Sequence, residues 1–337
     1  MLILGVTGYI GGQVLHDLLA LNKFDVTALV RDNERAEKLK SKTGVEVAVA
    51  ELDSSHLPDV VSEFDIVLHL AHADHVQGAK SIIAGLEKRA ETAEKKPLLI
   101  HTSGTGVLIN KAEANGKVKT KEIFRDDDLS SYHKLPHDNP HKNVDDIVLE
   151  AGRRGKIDEV IVAPPTIWGL GQGEFNQHSI QVPLYIKACL QAGQGLLLNE
   201  GVNTWSIIHV ADLAQGYLTI LQAAIDGKIP SRSDDRYFFC EKDEYEQRQV
   251  AETVTKLLYE KGKVDDPRPR QIKSEEVSKY GEGRKNIINL TGSNSRSRAV
   301  LLRKLGWEAK QGGNKEFLES IKDEVDYALA EDPKYRI

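Results

Sequence analysis

The sequence predicts a doubly wound α/β fold with a parallel sheet and a smaller, interleaved C-terminal lobe. Three observations support this prediction. Short apolar runs alternate with segments of helical periodicity over the first hundred residues. A glycine-rich turn lies directly between the first apolar run and the first helical segment. The chain has 337 residues, of which 40% are hydrophobic, and this is enough apolar material for a large buried core.

The first element is an apolar run at residues 2–4, which ends at Gly5 as a strand buried on both faces would. Further strands are predicted at residues 26–30, 45–50, 65–70, 98–102 and 159–163. Helices are predicted at residues 11–21, 34–42, 78–94 and 139–151. The last of these helices has Asn139 as its expected N-cap and Pro140 in its first turn. This alternation implies parallel strands joined by right-handed crossovers, as in a Rossmann fold.

The second half of the chain has a less regular pattern. Three polar or glycine-rich stretches are predicted as loops, at residues 111–139, 169–173 and 193–201. Helices are predicted at residues 210–224, 247–261, 295–305 and 315–329, and a short strand at 237–239. We therefore expect a dinucleotide-binding lobe at residues 1–165 and a mainly substrate-binding lobe at 166–337. Residues 206–225 are expected to return to the first lobe.

Composition excludes several classes of protein. The chain carries 45 Lys and Arg against 51 Asp and Glu, a formal net charge of −6, which disfavours nucleic acid as a partner. Its two cysteines, Cys189 and Cys240, imply no disulfide framework and fit a reducing compartment. No apolar run reaches the roughly 18 residues that a membrane span needs. Because the first strand begins at Leu2, no signal peptide is expected, and the sequence predicts a soluble cytoplasmic protein.

The glycine-rich turn is the main functional signal. Gly5, Gly8 and Gly11 form the pattern G-x-x-G-x-x-G between a strand and a helix. Small residues let the backbone turn tightly and approach a pyrophosphate, which the helix N-terminus then attracts. We expect a dinucleotide cofactor here. The predicted contact residues are Gly5, Thr7, Gly8, Tyr9, Ile10 and Gly11.

The end of the second predicted strand indicates which dinucleotide is bound. An acidic residue there would bind the ribose 2′-hydroxyl of NAD, whereas an arginine accommodates the 2′-phosphate of NADP. Arg31 occupies this position, and Arg35 lies about one helical turn further on. Asp32 carries only one negative charge against these two guanidinium groups. The sequence therefore favours NADP over NAD.

Ordered motifs along nearly the whole chain resemble the extended and atypical short-chain dehydrogenase/reductases, which are relatives of the nucleotide-sugar epimerases. The motifs are TGYIG (7–11), DIVLHLA (65–71), TSGT (102–105), PPTIWG (164–169), HVADLA (209–214) and LGW (305–307). The resemblance implies that Tyr9 and Ile10 donate backbone N–H groups to the pyrophosphate. It also implies that Asp53 contacts the adenine amine. Relatives often pair through helices on the flank of the sheet, so the resemblance is compatible with a homodimer.

The resemblance assigns further residues to the cofactor and to the chemistry. Those expected along the adenosine ribose are Leu70, Ala71 and His72, and those expected at the nicotinamide are Pro165, Thr166 and Ile167. Ser103 matches the catalytic hydroxyl of the family, with Thr105 as a nearby substitute. Ser103 is equally explained as a strand-end hydroxyl that ties down the backbone.

The catalytic pair of the family is missing. These enzymes use Tyr-x-x-x-Lys at the start of the helix after the fifth strand, where the tyrosine transfers a proton and the lysine holds the nicotinamide ribose. Tyr132 cannot supply this pair, because Pro136 stands four residues later. The best alignment makes Lys142 the lysine and puts Asp138 in place of the tyrosine, and an ionised aspartate has no proton to donate.

Histidines are the remaining candidates for proton transfer. A shift of one residue pairs His137 with His141, and a histidine titrates near neutral pH. Each of them is equally explained as an ordinary loop or helix-start residue. Tyr132 could still reach the site from the preceding loop, and Lys142 could serve only to hold the ribose.

The series His69, His72 and His75 has the form H-x-x-H-x-x-H, but it does not predict a metal site. His69 lies within a predicted strand and His72 lies at its end, so the three rings need not converge. No cysteine lies nearby, and zinc normally takes four ligands in a tetrahedral arrangement.

The sequence thus predicts an NADP(H)-dependent oxidoreductase that interconverts a carbonyl and an alcohol on a small organic substrate. Ser103 or Thr105 would polarise the oxygen, a histidine or a bound water would relay the proton, and Lys142 would orient the ribose. One alternative is an enzyme of the nucleotide-sugar epimerase or dehydratase type, which is weakened by the missing tyrosine. The other alternative is a catalytically inactive NADP(H)-sensing regulator that resembles NmrA-like proteins, which the missing pair would support.

Overall fold

The structure is a computed structural model, which describes residues 1–331 apart from Ala114, Arg232 and residues 281–286. The strands are β1 (Leu2–Leu4), β2 (Thr27–Val30), β3 (Glu46–Val49), β4 (Ile66–His69), β5 (Leu98–Thr102), β6 (Phe124–Arg125), β7 (Asp158–Ala163), β8 (Thr166–Trp168), β9 (Leu196–Leu198), β10 (Thr204–His209), β11 (Tyr237–Phe239), β12 (Asp243–Glu246), β13 (Arg270–Ile272) and β14 (Ser297–Arg298). The helices are α1 (Tyr9–Leu21), α2 (Asn33–Thr43), α3 (Leu57–Val61), α4 (Val76–Arg89), α5 (Lys142–Arg153), α6 (Gln181–Ala192), α7 (Val210–Ile225), α8 (Gln247–Glu260), α9 (Ile287–Thr291), α10 (Val300–Lys304) and α11 (Asn314–Glu331).

A seven-stranded parallel sheet forms the centre of the described chain. Its strand order is β11-β7-β5-β4-β1-β2-β3, and each neighbouring pair is parallel. The chain runs from β1 to β2 and β3 on one side and then returns to add β4 and β5 on the other. Ligands of such sheets bind at this reversal, beyond the carboxyl ends of the strands. The predicted doubly wound parallel sheet is confirmed.

Apart from the edge strand β3, the strands of this sheet are almost wholly buried, because most of their residues are apolar on both faces. Leu2, Ile3 and Leu4 of β1 have no solvent exposure. Helices cover the sheet: α4 packs against α5, and α1 packs against α7. The main core also contains α7 residues such as Tyr217 and β11 residues such as Phe238.

A second core lies in the C-terminal half. It joins α6, α8 and α11 with the small sheet β12-β10-β8. Trp205 and Tyr245 come from that sheet, and Phe317 comes from α11. The predicted lobe boundary at residue 165 remains a prediction. None of the helices in the described part of the chain is long and apolar enough to cross a membrane.

Several predicted elements differ from the structure. Asn139 is not the N-cap of α5, because its buried amide donates to the carbonyl oxygens of Val107 and Ile109, at 2.9 and 3.0 Å. The helix predicted at 295–305 is shortened to α10, since β14 pairs with β6 just before it. Residues 193–201 were predicted as a loop but contain β9, which pairs with β13. The helices α3 and α6 were not predicted.

Candidate functional site

The turn between β1 and α1 requires glycine at two positions. Gly5 has a φ of +88°, in the left-handed region that favours glycine. A Cβ at Gly5 would overlap the carbonyl oxygen of Leu70, and a Cβ at Gly11 would overlap the carbonyl oxygen of Gly5. Gly8 closes the turn by donating its N–H to that same oxygen at 2.8 Å. The close packing of this turn against β4 therefore depends on its glycines.

The N-terminus of α1 has no capping side chain. Gly8 is the N-cap residue, and the first turn of the helix contains no acidic residue. The backbone N–H groups of Tyr9 and Ile10 have no intrahelical acceptor, and they form the positive end of the helix dipole. Thr7 is half-buried in the same turn. Uncapped N–H groups behind a glycine turn fit a pyrophosphate.

The side chain of Tyr9 joins this turn to the second half of the chain. Its hydroxyl donates to the carbonyl oxygen of Gly169, and burial raises the pKa of the phenol. Gln13, one turn further along α1, accepts a hydrogen bond from the backbone N–H of Gln172 at 2.9 Å. The predicted loop at residues 169–173 is thus fastened to the first helix.

The two arginines after β2 have different surroundings. Asp32 caps α2 by accepting from the backbone N–H of Arg35 at 2.9 Å, and it also forms an ion pair with the Arg35 guanidinium. These hydrogen bonds lower the pKa of Asp32. Arg31 is exposed, and within the described residues its guanidinium makes no hydrogen bond or ion pair. Arg31 is therefore the cation available to a ligand at this edge.

The residues that follow β4 lie at the carboxyl edge of the sheet. They are Leu70, Ala71 and His72, of which the last two are exposed. Nearby, the ring of His75 caps α4 by accepting from the N–H of Gly78 at 2.8 Å through Nδ1. The Nε2 atom of His75 therefore carries the proton and donates to Asp53 at 3.3 Å. This bond fixes the predicted adenine-binding carboxylate beside β4.

The three histidines of the H-x-x-H-x-x-H series do not converge. His69 lies in the core, where its Nδ1 is 2.9 Å from the Nδ1 of His101 on β5. The rings of His72 and His75 lie 5.8 Å apart and nearly perpendicular to each other. Across the described residues, no group of three His, Cys, Asp or Glu side chains could hold a metal ion.

Ser103 lies in a buried network of hydroxyl groups. Its Oγ donates to Asp145 of α5 at 2.8 Å, and the same carboxylate oxygen accepts from Tyr237 at 2.9 Å and from Tyr132 at 3.2 Å. Burial raises the pKa of Asp145 to about 6, and the three hydroxyl groups oppose that rise. The Ser103 hydroxyl is thus bonded to protein groups, as a strand-end residue would be.

Thr105 differs from Ser103 in the hydrogen bonding of its hydroxyl group. The backbone N–H of Thr105 donates to Pro164 at 2.9 Å, and its carbonyl accepts from Ser295 at 2.6 Å. Its Oγ1 is buried and has no hydrogen-bond partner in the described part of the chain. Of the two predicted hydroxyl groups, only that of Thr105 is unpaired.

The segment predicted to border the nicotinamide forms the start of β8. Pro165 and Thr166 are buried, while Ile167 is half-buried. The Thr166 hydroxyl donates to Gln181 at 3.0 Å and lies 3.3 Å from the hydroxyl of Tyr245. These bonds attach the predicted nicotinamide wall to the second core.

Lys142 and His137 meet at one carboxylate. The Lys142 ammonium forms an ion pair with Asp146 one turn along α5, and it lies 4.9 Å from the centre of the Tyr132 ring. The Nδ1 atom of His137 lies 2.9 Å from the other oxygen of Asp146. His137 and Asp146 line a groove between α4 and α5. Both predicted site residues are thus engaged with Asp146 in this structure.

His141 has a different partner, at the carboxyl edge of the sheet. Its Nδ1 lies 2.7 Å from Asp74, and its backbone N–H donates to the same oxygen at 3.1 Å. Its ring lies over the loop after β5, where an added Cβ would lie 3.0 Å from Nε2 at Gly104 and 3.3 Å at Gly106. His141 therefore stands beside the segment that contains Ser103.

Sequence reasoning missed Asp74 and Asp145. Asp74 is distant from His141 in the chain, and no motif marks it. Asp145 had a usable signal, because it lies four residues after His141 and thus one helical turn away. That spacing equals the Tyr-x-x-x-Lys spacing of the family.

The model of the NAD dependent epimerase/dehydratase family matches residues 1–232. The chain is 23% identical to Oxidase ucsJ of an Acremonium species over 267 residues, which cover 74% of this chain and 76% of that protein.

Solved structures of low sequence identity share the fold. A UDP-glucuronic acid 4-epimerase from Bacillus cereus, in complex with UDP-glucuronic acid and NAD, superposes with a TM-score of 0.64 at 13% identity, with 97% of this chain and 98% of that chain covered. A dTDP-glucose 4,6-dehydratase from Bacillus anthracis in complex with NAD also has a TM-score of 0.64, at 14% identity, with 99% and 97% covered.

Proposed function

This chain belongs to the NAD dependent epimerase/dehydratase family, and from that premise we propose that it is an NADP(H)-dependent oxidoreductase acting on a small organic substrate. It would interconvert a carbonyl and an alcohol. The observation that carries the proposal is the uncapped glycine turn at α1 together with the unpaired Arg31 at the end of β2. The two lie on neighbouring strands of the sheet, as the pyrophosphate and adenosine ends of one dinucleotide require.

The residues of this chain fit a nicotinamide dinucleotide. The N–H groups of Tyr9 and Ile10 would bind the pyrophosphate, because they lack acceptors and add a positive dipole. Asp53 would accept from the adenine amine, held in place by His75. The half-buried Ile167 of β8, which packs against the main core, would lie against the nicotinamide.

Arg31 supports NADP rather than NAD. A guanidinium with no protein partner can bind two oxygens of a 2′-phosphate, while Arg35 is already paired with Asp32. The related epimerase and dehydratase structures contain NAD, so the proposal separates this chain from them in cofactor choice. The difference rests on one exposed side chain and is open to direct measurement.

A bound nicotinamide supplies or accepts a hydride during the reaction. The chain would contribute a polar edge beyond β5 that orients the substrate oxygen and handles its proton. Thr105 offers the unpaired hydroxyl at this edge, although it is buried in the structure. Tyr9 fastens the loop after β8 to the cofactor turn, which would help to exclude water from the cleft.

Two measurements test the proposal. The purified chain should bind NADPH with higher affinity than NADH. The change in nucleotide fluorescence on binding measures both affinities. A panel of aldehydes and ketones, followed at the absorbance of NADPH, should then reveal turnover. No affinity for either nucleotide would contradict the proposal, while binding without any turnover would favour a nucleotide-sensing regulator. Interconversion of two nucleotide sugars with no net NADPH oxidation would favour an epimerase.

A further inference from the structure

We propose that His141, oriented by Asp74, donates and accepts the proton in this site in place of the tyrosine of related enzymes. The inference rests on the proposed function, because it assumes a substrate oxygen at the carboxyl edge of the sheet. It assigns His141 a catalytic role and Asp74 a positioning role. Neither residue belongs to a Tyr-x-x-x-Lys pair.

The Asp74 carboxylate contacts both the backbone and the ring of His141. One oxygen of Asp74 accepts from the backbone N–H of His141 at 3.1 Å and lies 2.7 Å from its Nδ1. The carboxylate therefore fixes the proton of the imidazole on Nδ1 and leaves Nε2 as the atom that exchanges a proton. Such an arrangement is how an aspartate orients a histidine for acid–base work.

The Nε2 atom of His141 lies beside the loop after β5. Its nearest neighbours include the backbone of Gly104 and Gly106, on either side of Thr105, and a Cβ at Gly104 would lie only 3.0 Å away. Glycine at these positions therefore makes room for the ring. Among the described residues Nε2 has no hydrogen-bond partner, and about a fifth of the His141 side chain is exposed. The reactive nitrogen thus has no hydrogen-bond partner in the described part of the chain and lies beside the loop that contains Thr105.

The backbone of His141 is strained. It has a φ of +67° and a ψ of −25°, which is uncommon for a residue other than glycine. The hydrogen bond from its own N–H to Asp74 supports this conformation. Strained residues of this kind cluster at functional sites.

The charges around His141 favour proton exchange. Asp74 faces it from the loop after β4, Asp145 from one turn further along α5, and His101 from β5. The hydrogen bond from His141 lowers the pKa of Asp74, which stays ionised and stabilises an imidazolium. Burial lowers the pKa of His101 well below its ordinary range, so His101 adds no charge at neutral pH.

The other candidates lack this combination. The ammonium of Lys142 is held by Asp146, and the ring of His137, which contacts the same carboxylate through Nδ1, lies in the groove between α4 and α5. The hydroxyl of Tyr132 is buried and donates to Asp145. Among the described residues, His141 is therefore the candidate whose unpaired ring nitrogen lies beside the loop after β5.

The proposed step balances in both directions. In reduction, the carbonyl carbon takes up a hydride from the bound reduced nucleotide, and the π electron pair of the C=O bond moves onto oxygen. The protonated His141 then gives its Nε2 proton to that oxygen. The products are the alcohol, the oxidised nucleotide and a neutral His141, which regains its proton from water. In oxidation, neutral Nε2 accepts the hydroxyl proton.

The main test is His141→Asn, because asparagine tolerates the left-handed backbone that most residues would strain. We expect kcat to fall by about 10²- to 10⁴-fold, the usual contribution of an acid–base group, with NADPH affinity unchanged. In His141→Gly, which leaves a ring-sized space, added imidazole should restore part of the rate. His133→Asn, at an exposed histidine before α5, should keep wild-type activity.

Asp74→Asn tests the positioning role. Without its counter-charge the His141 imidazolium is less stable, so the basic limb of the kcat profile for reduction should move to lower pH. Nitrogen NMR of the histidine rings in the nucleotide-free protein gives an independent readout. It should show the Nδ1–H form of His141 in the wild type, and a lower titration midpoint in Asp74→Asn.

The outcomes separate this inference from the function on which it rests. If the wild-type enzyme shows turnover and the His141→Asn variant has an equal kcat, the proposed His141–Asp74 dyad is wrong, while the proposed oxidoreductase function is not contradicted. A ring titration in Asp74→Asn identical to the wild type would overturn the role of Asp74. A wild-type protein that oxidises no reduced nucleotide with any substrate would overturn the proposed function, and the dyad with it.

Discussion

The Nδ1 atoms of His69 and His101 lie 2.9 Å apart in the core of the main sheet. The two residues face each other in register on the parallel strands β4 and β5. Burial lowers the pKa of His69 to about 3 and that of His101 well below its ordinary range. Both rings are therefore neutral at pH 7, and one donates its Nδ1–H to the other.

This pair should make the protein sensitive to acid. A histidine whose folded pKa is depressed contributes stability that is present above its unfolded pKa of about 6.5 and is lost as the pH falls toward the folded value. For His69 alone the loss between pH 7.5 and pH 5 is about 2 kcal/mol. The double variant His69→Leu/His101→Leu should lose less free energy of unfolding over this range, as urea denaturation at the two pH values would show.

The exposed His133 provides the control for that measurement. His133→Asn should keep the wild-type difference between pH 7.5 and pH 5, because its ring is solvated in the folded chain. An unchanged difference in the double leucine variant would show that the buried pair does not titrate as proposed.

Asp145 should have the opposite effect on stability. Burial raises its pKa to about 6, so the folded state favours the protonated acid, and stability is lost as the pH rises from about 4 to 6. We expect Asp145→Asn to remove this loss. Between pH 4 and pH 7.5, the free energy of unfolding of the variant should then rise relative to that of the wild type by up to about 3 kcal/mol. The change should appear in urea unfolding at these two pH values.

The control for Asp145→Asn is Asp128→Asn, which alters an exposed aspartate in the segment before α5 that was predicted as a loop, residues 111–139. It should leave the pH difference of the wild type in place. If Asp145→Asn instead proves less stable than the wild type at pH 7.5, the carboxylate must gain more from Ser103, Tyr132 and Tyr237 than burial costs it.

Arg31 should determine the preference for NADPH over NADH. Hydrogen bonds to a charged group contribute about 1.5–3 kcal/mol, so Arg31→Ala should weaken NADPH binding by about 10- to 150-fold and leave NADH binding unchanged. Arg35→Ala should have a smaller effect, because Arg35 is already paired with Asp32. Fluorescence titration with both nucleotides measures the preference.

Lys40→Ala is a suitable control for the arginine variants. Lys40 lies on α2, the helix that also carries Arg35, and its ammonium lies 3.3 Å from the carboxylate of Glu46. Its loss should not change the ratio of the two affinities. Equal affinities of the wild-type chain for NADPH and NADH would refute the assignment of Arg31.

Gly11→Ala should disrupt the phosphate-binding turn. The new Cβ would overlap the carbonyl oxygen of Gly5, so the turn and the start of α1 must move apart. We expect affinity for both nucleotides to fall by more than about tenfold, the effect of losing roughly 1.4 kcal/mol. Ile10→Val, at the preceding half-buried position, should bind as the wild type does. Nucleotide affinity that survives in Gly11→Ala would place the phosphates elsewhere.

Local patterns were sufficient for most elements of the first lobe. Most strands of the main sheet are short runs of mainly apolar residues, and α4 carries its apolar residues at helical spacing, so sequence periodicity reports both directly. The second lobe was harder to predict. The strand β9 is three leucines between glycines, and it becomes a strand only because β13 pairs with it from more than seventy residues away.

The sequence by itself determined the doubly wound sheet and the glycine turn at α1, because both arise from residues adjacent in the chain. Tertiary structure decided which side chains meet at the carboxyl edge of the sheet. It directed Ser103 to Asp145 and His141 to Asp74. These pairings depend on how β4, β5 and α5 pack, and a side chain at the start of a helix can face several neighbours. Residue spacing alone does not distinguish among them.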